Sequence, residues 1–318
     1  MANVCSKNCQ NILTVDAASV PMDGMTTDRA MPRTAARSRQ LVAASERTTL
    51  DPFREIDWTQ PIDDSAFHLP PELLPLYGTA PWDAMSEAER IAYSRHETAA
   101  LCGAGIWFEN VLMQVVLRHL AEMPVTDPSH RYLLVEVADE CRHSMMFGEY
   151  IRRAGTPAYR PTVSPHSLSD NDGPGHRTVS YLLILAVEEL LDYTNRATMR
   201  DDRVHPISRS IARLHVLEEA RHVSFAKTYL AEVVPTLSES DRRLVADAAP
   251  ALVAVVADLS VDPAVYEHLG IAGGYDAARA NPHHQAVVVA GLAKLTSFLT
   301  EIGVIDDEHR PAWSALAA

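Results

Sequence analysis

Two octapeptides, EVADECRH at 136–143 and HVLEEARH at 215–222, align without a gap and share Val, Glu, Arg and His at their second, fifth, seventh and eighth positions. In both, a glutamate and a histidine stand three residues apart, Glu140 with His143 and Glu219 with His222. On a helix this spacing brings carboxylate and imidazole to one point beside the axis, where the two can chelate a single metal ion. One such pair means little, because Glu and His are ordinary surface residues; the repeat is what constrains the fold. Each copy also has a glutamate 31 residues upstream, Glu109 before Glu140 and Glu188 before Glu219. These glutamates interrupt the apolar stretches AGIWFENVLMQVVL and YLLILAVEELLDY, in which an unpaired carboxylate is expensive to bury. Two helices donating Glu and two donating Glu-x-x-His make a two-metal carboxylate site only when all four lie side by side, the cations turning the buried charges into ligands.

The residues by themselves leave alternatives open. The equal spacing selects Glu188 over Glu189, one of which must face elsewhere, and Glu109 can instead pair with Arg118 or with a neighbouring helix. Glu136 and His215 hold the same place in the two copies, one turn before the metal-facing Glu. Either can add a ligand or support one through a hydrogen bond or salt bridge.

The rest of the chain is organised around helices. Residues 1–48 mix Ser, Thr, Ala, Met and scattered Arg without sustained periodicity, the pattern of a mobile N-terminal tail or loosely docked arm. Pro52, Pro61, Pro70, Pro71, Pro75 and Pro81 make 49–85 a Pro-rich segment that wraps the core. From Ser86 to the C-terminus, 86–318 reads as a helical bundle domain. SEAER carries an N-cap serine and an acidic first turn, and no proline follows before Pro124. Further helices are expected over 128–154, 177–202 and 205–234, with a loop from Gly155 to about Gly175, and then LSESDRRLVADAAPALVAVVADL, a bend at Gly270–Gly274 and an apolar helix over 283–303. Hardly any period-two alternation is visible, so the class is all-α.

A formal net charge of −14 without a long Lys/Arg run argues against a nucleic-acid partner and against an anionic membrane surface. No run of about eighteen apolar residues occurs and the start MANVCSKNCQNILTVD lacks a basic head before an apolar stretch, so neither a span nor a secretory signal is expected. Cys5, Cys9, Cys102 and Cys141 form no CxxC framework, which points to a reducing, cytoplasmic setting.

With these residues in view, the chain resembles the p-aminobenzoate N-oxygenase family of ferritin-like di-iron enzymes. The resemblance spans roughly 86–302 and is carried by FEN around Glu109, DECRH with Glu140 and His143, VEEL with Glu188, and HVLEEARH. It implies a ferritin-like four-helix bundle core with additional C-terminal helices. It also implies an iron ligand at His215, since family members place an extra histidine four residues before the last Glu-x-x-His pair's glutamate. The implied set is then Glu109, Glu140, His143, Glu188, His215, Glu219 and His222, with Glu109 and Glu219 expected to bridge. Four carboxylates and three imidazoles suit two iron ions, or manganese, better than zinc.

The activity implied is that of a monooxygenase of secondary metabolism that builds nitro groups. Dioxygen, an external electron donor and a peroxo-diferric species carry an amine, typically an arylamine, toward hydroxylamine, nitroso and nitro products. Helical faces nominate Cys102, Gly105 and Asn195 for the substrate pocket. Family members hold the substrate carboxylate with an arginine from a late helix, but 283–303 contains none, and Lys294, its only cation, is left as carboxylate partner or solvent-facing lysine. The pattern allows a homodimer. Competing readings are a ferritin-like ferroxidase, a ribonucleotide reductase small-subunit-like radical protein with Tyr193 as the nearest tyrosine, and a non-catalytic helical module.

Overall fold

The computed structural model describes residues 31–161 and 173–315. Its helices are α1 (Pro32–Arg47), α2 (Pro52–Glu55), α3 (Ala80–Ala84), α4 (Glu87–Glu122), α5 (Pro128–Ala154), α6 (Pro174–Thr198), α7 (Pro206–Val233), α8 (Glu239–Asp258), α9 (Pro263–Leu269), α10 (Gly274–Arg279), α11 (Pro282–Glu301) and α12 (Arg310–Ala315). Among the described residues no strand forms; a single bridge pairs Phe67 with Val204.

The ends of the long helices follow from local chemistry. Ser86 caps α4 by accepting from the Glu89 amide at 3.3 Å, while the Glu89 carboxylate accepts from the Ser86 amide at 2.7 Å. Together these satisfy two donors that the helix start leaves orphaned. Asp127 caps α5 through Ser129 N at 2.7 Å, Pro128 occupies a first-turn position that needs no amide, and Gly155 ends the helix at φ 63°.

α4 packs along α5 and α6 along α7, and the two hairpins face each other to form the four-helix core. α8 and α11 cover α6, and α1 lies across α5 and α7. The Pro-rich segment wraps the same body: His205 N donates to Phe67 O at 2.7 Å, which fastens it to the start of α7.

The tail expected over 1–48 is corrected for its second half. Residues 32–47 form α1, with Thr34, Ser38, Leu41, Val42 and Ser45 buried. Glu232 of α7 accepts hydrogen bonds from Arg33 N at 3.0 Å and from Thr34 N and Oγ1 at 2.7 Å each. The buried face of α1 is mostly small and polar, with Leu41 and Val42 the only large apolar side chains buried on it, so the segment reads as a tail in a composition-led view. Residues 1–30 lie outside the described part.

By length and mean hydropathy two stretches, Glu87–Glu122 at 1.5 and Glu239–Leu269 at 1.9, are apolar enough to cross a membrane. The first owes its hydropathy to its central place in the bundle, where Phe108, Val111, Leu112, Val115 and Val116 are buried.

Candidate metal centre

The core is split into two apolar clusters, one around Leu112, Tyr132, Leu182 and Phe225, the other around Tyr93, Met146, Tyr150 and Leu214. α4, α5 and α7 pass through both, and each places its acidic and imidazole residues near the level where one cluster gives way to the other. Glu109, Glu140, His143, Glu188, His215, Glu219 and His222 are all 0–1% exposed there. Their potential ligand atoms form three groups, each within 4.8 Å: Glu109, His143 and His215; Glu140, Glu219 and His222; Glu188, His215 and Glu219. The seven residues singled out in the sequence thus converge on one place. Of the Glu188/Glu189 pair, Glu188 turns into this cluster and Glu189 forms an ion pair with Lys227 of α7.

The centre of the cluster is made by the two repeated motifs. His143 Nδ1 lies 2.9 Å from Glu140 Oε2 and 3.1 Å from Glu219 Oε1, and His222 Nδ1 lies 2.8 Å from Glu140 Oε1 and 2.8 Å from Glu219 Oε2. Glu140 and Glu219 therefore each reach both imidazoles, which would suit them to sharing two metals, while Glu109, expected to bridge, approaches His215.

The donor set fits divalent cations. Neither carboxylate oxygen of Glu109 or of Glu188 makes a hydrogen bond, and neither does His215 Nε2. Burial, then the Glu140 charge, pushes the Glu109 carboxyl well above its usual range. Burial, then the Glu219 charge, does the same to Glu188. His143 and His222 are raised despite burial, by hydrogen bonds to Glu140 and Glu218 in the first case and by the Glu219 and Glu140 charges in the second. Protons on these four groups stand where two divalent cations would bring four positive charges. His215, which burial holds down to about 4, is neutral and can offer a lone pair.

Outside the seven, the two motifs support each other crosswise. His143 Nε2 lies 2.9 Å from Glu218 Oε2, and His222 Nε2 lies 3.4 Å from Asp139 Oδ2. In each case the acidic residue just before the metal-facing glutamate of one motif holds the histidine of the other, fixing which ring nitrogen faces the cluster. Arg221 lies 3.2 Å from Asp139 and 3.6 Å from Glu218, and Arg142 also pairs with Asp139. None of these four was given a role from the sequence, although the signal was present: both motifs carry an acid at the fourth position and an arginine at the seventh.

Glu136 and His215, equivalent in sequence, part company. His215 turns inward, with Nε2 3.8 Å from Glu109 Oε1 and 3.7 Å from Glu219 Oε1. Its Nδ1 meets the Asn195 amide at 3.1 Å, a group able to present either its nitrogen or its oxygen. Glu136 belongs to none of the three groups; burial pushes it up to about 8. Beside it lies Tyr132, fully buried, its hydroxyl without a hydrogen-bond partner. Tyr193, the tyrosine nominated from sequence, is 38% exposed instead.

A cavity opens against His215. Cys102, Gly105 and Asn195, all expected at the substrate, line it, together with His68 and Leu69 from the Pro-rich segment. A Cβ on Gly105 would lie 3.0 Å from the Phe147 ring, so glycine widens the passage there, whereas at Gly103 it would strike the Tyr159 carbonyl oxygen, which is close packing. Lys294 is not in the lining: its side chain is 63% exposed and its ammonium sits 3.2 Å from Asp192. Asp192 lies one turn beyond Glu188 on α6 and outcompetes a buried position for a charge that water and a carboxylate both stabilise.

Uncharacterized proteins of Mycobacterium bovis and of two Mycobacterium tuberculosis strains are each 33% identical to this chain over 214 residues. The match covers 64% of this chain and 62% of the length of each of these relatives. The family model described as P-aminobenzoate N-oxygenase AurF matches residues 31–303, a range that takes in α1 and the wrapping segment as well as the four helices that meet at the Glu/His cluster. With that range covered, the chain belongs to the p-aminobenzoate N-oxygenase family.

Proposed function

We infer that the protein is a di-iron N-oxygenase acting on a small amine, with manganese as the other metal the donor set would accept. The observation that carries this reading is the convergence of four carboxylates and three imidazoles directly beside a cavity, with His215 belonging to both. Glu109, Glu140, His143, Glu188, His215, Glu219 and His222 would hold the metals, and a bound metal pair would supply the capacity to reduce dioxygen and pass one of its oxygens to a nitrogen. The chain's own residues do the rest. Glu140 and Glu219 draw the two motifs together, Asp139 and Glu218 fix the His222 and His143 rings, and Phe147 covers His215 at a ring distance of 5.4 Å, keeping bulk water from that side. Asn195 orients the His215 ring through Nδ1.

A cavity lined mainly by apolar side chains, opening against a candidate ligand histidine, favours the N-oxygenase reading over an iron-storing ferroxidase. An external reductant is required. The test is mass spectrometry of amines incubated with the ferrous protein and isotopic dioxygen. Label on nitrogen, as hydroxylamine, nitroso or nitro product, is the expected result; label only in water, with iron consumed, would mark a ferroxidase.

A further inference from the structure

The cavity runs between α4 and α7. Gly105 and His215 lie at its metal end, with Thr98 and Ser208 each seven residues earlier on the same two helices, about 10 Å along the axis. The hydrogen-bonding character of the far end is set by where each proton already points. Thr98 Oγ1 donates to the Ser94 carbonyl at 2.9 Å, and Thr198 Oγ1 donates to the Thr194 carbonyl at 2.8 Å. His68 Nε2 lies 2.9 Å from the Asp63 carbonyl oxygen, which can only accept, so Nδ1 carries the lone pair. That lone pair receives the Tyr150 hydroxyl at 2.9 Å and faces Ser208 Oγ at 3.4 Å. Thr98 and Thr198 therefore offer the cavity only oxygen lone pairs, while Ser208, whose proton has no fixed acceptor because Tyr150 already occupies the His68 lone pair, offers both a lone pair and a proton.

No Lys or Arg lines the cavity among the described residues. Arg95, one turn before Thr98, spends its guanidinium on the Ala154 carbonyl at 2.7 Å and on Asp64 at 2.9 Å. A carboxylate entering here would lose its water and meet at most the one Ser208 donor among acceptors, with no cation to balance it. An N–H or O–H donor would meet partners that are already oriented.

We propose that this cavity selects an uncharged amine bearing a hydrogen-bond donor at the end opposite the reacting nitrogen, and discriminates against an aminobenzoate. Ser208 and Thr98 are then the specificity-determining residues, and the apolar flanks Leu101, Phe147 and Ile211 hold the ring. The inference rests on the N-oxygenase reading for its reaction but on the lining alone for its selectivity.

Three amines of nearly equal size separate the two: 4-aminobenzyl alcohol, 4-aminobenzoate and 4-methylaniline. Binding of each to the full chain is measured by calorimetry before and after iron loading, and N-oxidation is measured in single turnovers of the iron-loaded protein. The alcohol should bind, and be oxidised, about tenfold better than the benzoate, the factor that corresponds to one net hydrogen bond. Ser208→Ala should bring the alcohol down to the level of 4-methylaniline while leaving 4-methylaniline, iron content and melting temperature unchanged. A benzoate that binds as well as the alcohol, or a Ser208→Ala effect equal on all three amines, overturns the selectivity and leaves N-oxygenation standing. Oxidation of none of them, with the binding preference intact, overturns N-oxygenation and leaves the selectivity standing.

Discussion

The two halves of the bundle, α4–α5 and α6–α7, contribute the same motif at the same spacing and yet make different surroundings. In each, a glutamate on the first helix joins a Glu-x-x-His pair on the second, and the acid before that pair holds the other half's histidine. One turn earlier the halves diverge. Glu136 is sealed among Tyr132 and the apolar cluster, whereas His215 faces both the carboxylates and the cavity. The frame repeats in both halves, while at this one position the residues differ, and the described cavity borders the His215 side.

The largest expected effect breaks the frame in either half. Glu140→Ala or Glu219→Ala removes a carboxylate that reaches both imidazoles, so iron bound after anaerobic reconstitution should drop from about two per chain to below one in either variant. Stoichiometry that stays at two in both would dismantle the assignment of the bridging pair.

Next comes pH. Glu109, Glu188, His143 and His222 all have raised pKa values, so loading must expel their protons and affinity should rise with pH. Between pH 6 and 7 the apparent affinity should increase at least about tenfold, with protons released into unbuffered solution. A pH-independent affinity would show that these groups do not hold the metals.

Asp139→Ala and Glu218→Ala sharpen the comparison, because each weakens the histidine of the opposite half. Each should lower metal affinity by about 10–100-fold without abolishing binding. Competition with a chelator measures this, and loss of His orientation in only one of the two would break the crosswise symmetry.

The smallest effects probe the position where the halves differ. His215→Ala should keep most of the iron, since six candidate ligands remain, but change the absorption spectrum of the ferric protein; Glu136→Gln should alter neither. A spectral change in Glu136→Gln equal to that in His215→Ala would mean that Glu136 also reaches the metals.

The sequence by itself determined the long bundle helices and the polar layer. Ser86, Asp127 and Gly155 announce helix ends through local hydrogen bonding and backbone freedom, and the repeat with its 31-residue offset selected Glu188 over Glu189. Such signals are short-range or periodic, so they survive in one dimension. Tertiary structure decided what depends on neighbours distant in the chain. α1 is held by Glu232, some 200 residues away, and buries only Leu41 and Val42 among large apolar side chains. Glu140, not Glu109, approaches both histidines because the bundle crossing sets the distances between helices. Lys294 was nominated as the late helix's only cation, but Asp192 on α6 holds it at the surface. The far end of the cavity joins His68 and Ser208, brought together across 140 positions. Direction of a proton is a property of the folded partners around it, and no residue carries that information alone.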